Sequence, residues 1–242
     1  FPEDDTITFR TSSQERLRIA SNGRISIGST LVRAIGGNSS TSRLQIEGTS
    51  GNNSAIAIIN NQDNTNPPSI KFGKTRGGIG SSTTVADGDQ LGNIIFTGAD
   101  GTDLNNATAL ISAKVNGTVG ENQIPTDLVF ETSSSNTGSR EERLRITSDG
   151  NVGIGTDDPL GTLHIGGDQS GLIRFGNSTF GYRLRANVST TNDFGILIED
   201  KDGNDLYSVA SNSGTGSNKN AHIFFTGIGT ERVRITETGR IE

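Results

Sequence analysis

Apolar and polar residues alternate in short runs along this chain, and one such run occurs three times. The copies read ERLRI from Glu15, ERLRI from Glu142 and ERVRI from Glu231, and each has a glycine eight positions after its glutamate. Alternation with a period of two places the apolar side chains on one face of a β-strand. The repeat therefore predicts half-buried strands in a periodic β architecture.

The glycine in each copy separates two alternating runs, and their register decides the turn between them. A two-residue loop would place the two apolar sets on opposite faces of the hairpin. A three-residue loop with glycine in the left-handed conformation places them on one face. We therefore predict hairpins with the turn glycines Gly23, Gly150 and Gly239. The predicted core positions of the repeat are Leu17, Ile19, Ile25 and Ile27 in the first copy, Leu144, Ile146, Val152 and Ile154 in the second, and Val233, Ile235 and Ile241 in the third.

Shorter motifs recur in the same order after the first two hairpins. LQIEG at 44–48 corresponds to LHIGG at 163–167, and IKFG at 70–73 corresponds to IRFG at 173–176. A repeated order of motifs is typical of modules that are arrayed along a fibre or solenoid.

A phenylalanine precedes the repeated glutamate in every copy. The interval is six residues for Phe9 and Phe225 but twelve for Phe130, which predicts an inserted surface loop within 133–139. We interpret the chain as head-to-tail modules and expect it to be a fragment of a longer protein. The predicted modules are residues 1–125, residues 126–220 and, as the start of a third, residues 221–242.

The composition indicates which architecture these strands form. Only 30% of the 242 residues are hydrophobic and 33 are glycine, while no long run has the period of an amphipathic helix. A chain with so little apolar material forms a poor core alone, but copies can share one. We expect an all-β, elongated repeat fibre of short strands and hairpins, intertwined or side by side in a homotrimer.

Charge, apolar run length and cysteine content argue against several classes of partner and site. The net charge is −6 and lysines and arginines do not cluster, which argues against nucleic acid. No apolar run approaches the ~18 residues of a membrane span, so no membrane insertion is expected. The absence of cysteine excludes a disulfide scaffold and thiolate metal sites.

Several long segments resemble one family of proteins. ERLRITSDGNVGIGTDDPLGTLHIGG at 142–167, together with residues 70–78, 88–103 and 111–132, resembles the long tail fibres of tailed bacteriophages, particularly marine and cyanobacterial ones. The resemblance implies a homotrimeric β-structured shaft or distal region of the virion that serves host-receptor recognition. Its implied partners are further copies of itself, other virion tail proteins and a host surface receptor, for which polysaccharide is one candidate.

The arginines of the repeat are the first candidates for chemistry. Alternation places them on the face opposite the core, where we expect them to be solvated or to lie between subunits and to pair with the repeat glutamates Glu15, Glu142 and Glu231. These arginines are Arg16, Arg18, Arg143, Arg145, Arg232 and Arg234.

Other polar motifs also favour structural roles. His164 and His222, the two histidines, have no clustered partners for a catalytic or zinc site. DKDGND at 200–205 lacks the glycine and glutamate of an EF-hand and predicts a hairpin turn at Asp202-Gly203. The glycine runs at 77–80 and 153–155 lack the Lys-Ser/Thr of a phosphate loop and predict tight turns.

No enzymatic signature competes with these interpretations. Adjacent acids such as Glu141 and Glu142 point to opposite faces of a strand, and the chain has no tryptophan and two tyrosines for stacking on sugars. We expect no catalytic, cofactor or metal site. The predicted function is a virion fibre that presents distal loops, with 60–69 and 211–220 as candidates for contact. A cellular extracellular fibre or adhesin and a fibre-borne glycan depolymerase are the alternatives.

Overall fold

The computed structural model of the chain confirms the all-β class. It describes residues 5–36, 41–134, 139–166, 172–176, 181–188, 193–200, 205–212, 222–226, 230–235 and 239–241. Within these residues the regular structure consists of strands in three sheets and one 3-10 turn at Gly51–Ser54.

The first sheet contains the first copy of the repeat. Its strands are β1 (Ile7–Thr11), β2 (Gln14–Ile19), β3 (Ile25–Ile27) and β4 (Leu44–Ile46), in the order β1-β2-β3-β4. The first three strands are antiparallel neighbours, whereas β4, which carries the LQIEG motif, is parallel to β3.

The second sheet has six strands in the order β10-β9-β8-β7-β6-β5. They are β5 (Gln90–Thr97), β6 (Ala107–Val115), β7 (Thr126–Ser133), β8 (Arg140–Ile146), β9 (Val152–Ile154) and β10 (Leu163–Ile165). Strands β5 to β8 form an antiparallel meander, and β10 is parallel to β9. The order of β2, β3 and β4 thus recurs in β8, β9 and β10.

The third sheet is a six-stranded antiparallel meander that ends on the third copy of the repeat. Its strands, in sheet order, are β11 (Leu172–Gly176), β12 (Gly181–Val188), β13 (Asp193–Asp200), β14 (Asp205–Asn212), β15 (His222–Thr226) and β16 (Thr230–Ile235). Strands β13 and β14 pair as the hairpin predicted around 200–205. The turn Asp202-Gly203 lies outside the described residues, as do most of the loops predicted at 133–139 and 211–220.

The chain separates into two compact units, residues 1–150 and residues 151–242. The module boundaries at 125 and 220 concern the repeated motifs and stay predictions. Among the described residues, the buried apolar side chains of unit 1 are few and centre on β6 and β7. They are Val85, Ala107, Leu110, Val115 and Val129.

The repeat hairpins have the register that the alternation requires. Leu17 pairs with Ile27 and Ile19 pairs with Ile25 across the turn. The turn glycines Gly23, Gly150 and Gly239 have φ angles of 75°, 85° and 76°. The N–H of Gly23 donates to the carbonyl of Ala20 over 2.8 Å, and that of Gly150 donates to the carbonyl of Thr147 over 2.9 Å. Ile235 forms an isolated bridge with Ile241.

Candidate assembly surface

Each copy of the repeat contains a β-bulge at its first arginine. In the first copy Phe9 pairs with Leu17 but Arg10 pairs with Glu15, so Arg16 is an extra residue in β2. An extra residue changes the alternation, so that the glutamate and the second arginine, three positions apart, lie on one face. The same shift leaves Arg143 and Arg232 as the extra residues of β8 and β16.

The bulge also corrects one alignment made from the sequence. Phe9 pairs with the leucine of its repeat, and in the third copy the equivalent partner of Val233 is Phe224, not Phe225. Counting six residues back from each glutamate is valid only if the turn that precedes the repeat strand has the same length in every copy. The turn before β2 has two residues, Ser12 and Ser13, both with positive φ, whereas three residues separate β15 from β16.

The bulge produces a bidentate ion pair in both of the first two copies. In the second copy, Arg145 donates to Glu142 through Nε at 2.7 Å and Nη2 at 2.6 Å. In the first copy, Arg18 donates to Glu15 over 2.6 and 2.8 Å. Two parallel hydrogen bonds between a guanidinium and a carboxylate fix both side chains in one orientation. The repeat therefore stabilises its own bulge through a local pair.

In the second copy the pair extends to a buried carboxylate. Asp127, on β7, is fully buried and accepts a hydrogen bond from Nη1 of Arg145. It also accepts from Nδ2 of Asn116 at 2.8 Å and from the N–H of Ser148 at 2.9 Å. Buried carboxylates are stable when their oxygens are satisfied in this way. Hydrogen bonds to Glu142 and Asp127 raise the pKa of Arg145 above its ordinary value.

The expectation that the repeat arginines project into solvent or between subunits is wrong for Arg145. Only 7% of the residue is exposed, because three intrachain hydrogen bonds to Glu142 and Asp127 hold the guanidinium between β8 and β7. Its counterpart Arg18 is 29% exposed. The second copy therefore buries charge on the face of the sheet that was expected to be polar and solvated.

The opposite face of the second sheet is apolar and open. Cross-strand register places Ile94, Ile111, Phe130 and Leu144 in one row across β5 to β8. Ala113, Leu128 and Ile146 form the next row on the same face. Ile94 is 49% exposed and Ile146 is 38% exposed. We call this face, formed by the two rows, the apolar face.

The first sheet divides its faces in the same way. Its apolar rows contain Ile7 and Phe9, which are exposed, while Ser26 and Gln45 on the other face are buried. Exposed contiguous apolar surface on a folded chain marks an interaction site. The predicted core positions of the repeat thus lie at a surface of the single chain: Ile154 and Ile241 are also exposed.

In each of the first two copies, a polar side chain on the parallel strand, β4 or β10, forms a hydrogen bond with the loop that connects this strand to the preceding one, which we call the crossover loop. Gln45 accepts from the N–H of Arg33 at 3.1 Å and donates to its carbonyl at 2.6 Å. His164 accepts from the N–H of Leu160 at 3.3 Å. Arg33 and Leu160 each lie six residues after the last strand residue of their hairpin. His164 thus has a structural role that the sequence alone did not indicate, because its loop partner is a backbone group.

A second ion-pair cluster surrounds Asp89, just before β5. Arg76 donates to its carboxylate over 2.7 and 3.1 Å, and the N–H of Ala86 donates over 2.9 Å. The hydrogen bond from Arg76 is the main cause that lowers the pKa of Asp89 to about 2. Within the described residues, no group of histidine and acidic side chains is arranged to hold a metal.

Across the described ranges no helix is long and apolar enough to cross a membrane. No protein-family model matches the chain, and no curated protein matches it. One solved structure, the carboxy-terminal domain of the bacteriophage T5 L-shaped tail fibre, aligns with a TM-score of 0.51 at 19% identity. The fold resembles a bacteriophage tail-fibre domain.

The alignment to the tail-fibre domain covers 63% of this chain and 64% of that chain. At this identity the likeness is one of fold, and it agrees with the resemblance that the sequence motifs indicate. The marine or cyanobacterial character of the motifs stays a prediction.

Proposed function

We propose that this chain is a structural segment of a bacteriophage tail fibre, located in the virion, which presents receptor-binding regions for attachment to a host cell. The observation that carries the proposal is the shared fold with a tail-fibre domain. The repeated hairpins support it, because successive bulged hairpins build length from one short motif. The proposed role is mechanical and adhesive, without catalysis.

The apolar face supports association with identical copies. Large apolar side chains on β5, β7 and β8 are exposed in the single chain, which is costly in water at about 25 cal/mol per Å². Three copies around a threefold axis would bury these faces against one another and share one core. We therefore propose a homotrimer, attached to other virion tail proteins.

The loop at 60–69 is the proposed contact with a host receptor. Asn60 closes the loop by donating from Nδ2 to the carbonyl of Asn66 over 2.6 Å, and residues 61–69 are exposed. A trimer would present three such loops, so that weak individual contacts add up through multivalency. Surface polysaccharide suits a loop rich in amides, which donate and accept hydrogen bonds.

The mass of the purified chain in solution tests the assembly. A single chain has a mass of 25.4 kDa, so light scattering should give about three times that value. A concentration-independent mass of one chain would contradict the proposal. For the function, the fibre segment should bind host cells and compete with adsorption of intact phage, whereas release of sugars from envelope polysaccharide would favour the depolymerase.

A further inference from the structure

An extended segment follows the first sheet and has no backbone partner in the structure. Residues 55–73, which we call the arm, lie between the 3-10 turn and Lys74, and no backbone-to-backbone hydrogen bond of theirs occurs among the described residues. Amide and carbonyl groups without a backbone partner are normal in a solvated polar loop such as 60–69, but the two ends of this segment, 55–59 and 70–73, are largely apolar. Its large apolar side chains are exposed: Ile56, Ile58, Ile59, Ile70 and Phe72.

The second copy of the same motif shows what the arm sequence does when a partner is available. IRFG at 173–176 lies in β11, where Ile173 pairs with Leu184 and Phe175 pairs with Tyr182 of β12. IKFG at 70–73 in the arm has the same alternation and no paired strand. Similar local sequence has similar strand propensity, so the difference lies in the availability of a neighbour.

The second sheet has a free edge at the position where the third sheet has an added strand. Strand β5 is the third strand before the repeat strand β8, and β13 is the third strand before the repeat strand β16, so β5 corresponds to β13. The outer edge of β13 pairs with β12. Strand β5 pairs only with β6, and its outer edge is unpaired in the described structure. It carries three consecutive exposed apolar residues, Ile94, Ile95 and Phe96, without proline or lysine. Natural edge strands of this kind are usually covered.

Within the described residues the arm does not cover this edge and instead contacts the apolar face through Phe72. Phe72 lies directly over Gly92 of β5, so close that a Cβ added to Gly92 would be 2.5 Å from the Cβ of Phe72. Phe72 also lines a small cavity of about 140 Å³ with Ile94, Ile111 and Leu128. The arm therefore contacts the face of the sheet through one side chain, while its backbone forms no hydrogen bond to another backbone group among the described residues.

We propose that the arm of one copy adds as a strand to the free edge of β5 in a second copy of this chain. This inference rests on the proposed assembly of identical chains and names the segment that joins them. The ends of the arm supply backbone N–H and C=O groups without a backbone partner together with exposed apolar side chains, and β5 supplies an unpaired strand edge with exposed apolar residues. Strand addition would pair the backbone groups of both and bury their apolar side chains together. Because the donor and the acceptor are different surfaces, the exchange links successive copies head to tail, and a threefold rotation between copies would close the series into a trimer.

Photo-crosslinking from the arm tests the pairing directly. A photoreactive phenylalanine analogue is placed at Lys71, which is exposed, in a chain that is mixed, unfolded and refolded with an isotope-labelled copy. Crosslinked peptides that join one labelled and one unlabelled chain, and that map residue 71 to β5, are expected. The same analogue at Asn64, in the loop of the arm, is the control and should give at least fivefold less of this product.

The outcomes separate this inference from the proposed assembly. An oligomeric mass with crosslinks from residue 71 only to its own chain, or to another segment of a second copy, overturns the arm exchange and leaves the assembly standing. A monomeric mass overturns both. As a second measurement, Ile58→Lys should weaken association at least tenfold, whereas Leu160→Lys, at another exposed apolar position, should not. Equal effects of the two substitutions would also overturn the exchange.

Discussion

Replacing Arg145 by methionine tests whether the second repeat depends on a buried charge network. Methionine keeps an unbranched apolar stem but removes the guanidinium, so Asp127 would remain fully buried without its cationic partner. Removing one partner of a buried ion pair costs about 3–5 kcal/mol. For a protein of this size each kcal/mol lowers the melting temperature by about 2–4 °C, so we expect a decrease of about 6–20 °C.

The first repeat supplies the matched control. Arg18 makes the same bidentate pair with Glu15 but is 29% exposed, and the position equivalent to Asp127 is Thr6, which has no charge. Arg18→Met should therefore cost about 1 kcal/mol or less, or about 4 °C at most. Melting is followed by circular dichroism at equal protein concentration, because association shifts apparent stability.

Two results would refute the reasoning about Arg145. Equal shifts for Arg145→Met and Arg18→Met would show that burial of the second pair contributes nothing. The double variant with Asp127→Asn removes the uncompensated charge and should be more stable than Arg145→Met alone. A double variant that is less stable by the sum of the two single losses would show that the two residues act independently.

Three further predictions concern the turns and the smaller clusters. Gly150→Ala should destabilise by about 1 kcal/mol or more through its φ of 85°, whereas Gly161→Ala, with equal open space and no positive φ, should be nearly neutral in thermal melting. His164→Gln keeps a hydrogen-bond acceptor for the N–H of Leu160 and should melt within a few degrees of the parent. His164→Leu removes the acceptor and should lower the free energy of unfolding by about 1 kcal/mol. Equal melting temperatures of the two variants would contradict the structural role of His164. The pKa of Asp89 is lowered to about 2 in the folded state, so its carboxylate contributes fully to folding stability above the unfolded-state pKa and loses that contribution as the pH falls through about 2. The stability advantage of the parent over Asp89→Asn, measured by thermal melting, should therefore shrink between pH 4 and pH 2. A difference that stays constant over this range would contradict the prediction.

The hairpin register was predictable from the sequence because it depends on local information. The alternation of Leu17 and Ile19 with Ile25 and Ile27, with a glycine between them, leaves one loop length that keeps all four on a single face. The bulge was not predictable in the same way. Strict alternation places Glu15 and Arg18 on opposite faces, and only the pairing with β1 reveals that Arg16 is an extra residue.

The sequence also did not indicate which face of the second sheet is buried. Asp127 lies 18 positions from Arg145, and no local pattern links them before the strands are paired. The amphipathic pattern predicted which apolar side chains share a face, but it did not indicate whether that face is covered within a single chain. The exposure of Ile94 and Ile146 in the described structure depends on tertiary packing and not on strand propensity.

The open apolar face has a consequence for how the protein reaches its final state. In the proposed assembly, a newly made chain exposes Ile94, Leu128 and Ile146 until another copy arrives, so completion would require an encounter between molecules. The time that each chain waits for a partner grows in proportion to dilution, and side reactions such as aggregation compete during the delay. Yield should therefore depend on expression level and on the refolding concentration. A substitution on this face would appear as missing or aggregated protein before it appeared as weaker association.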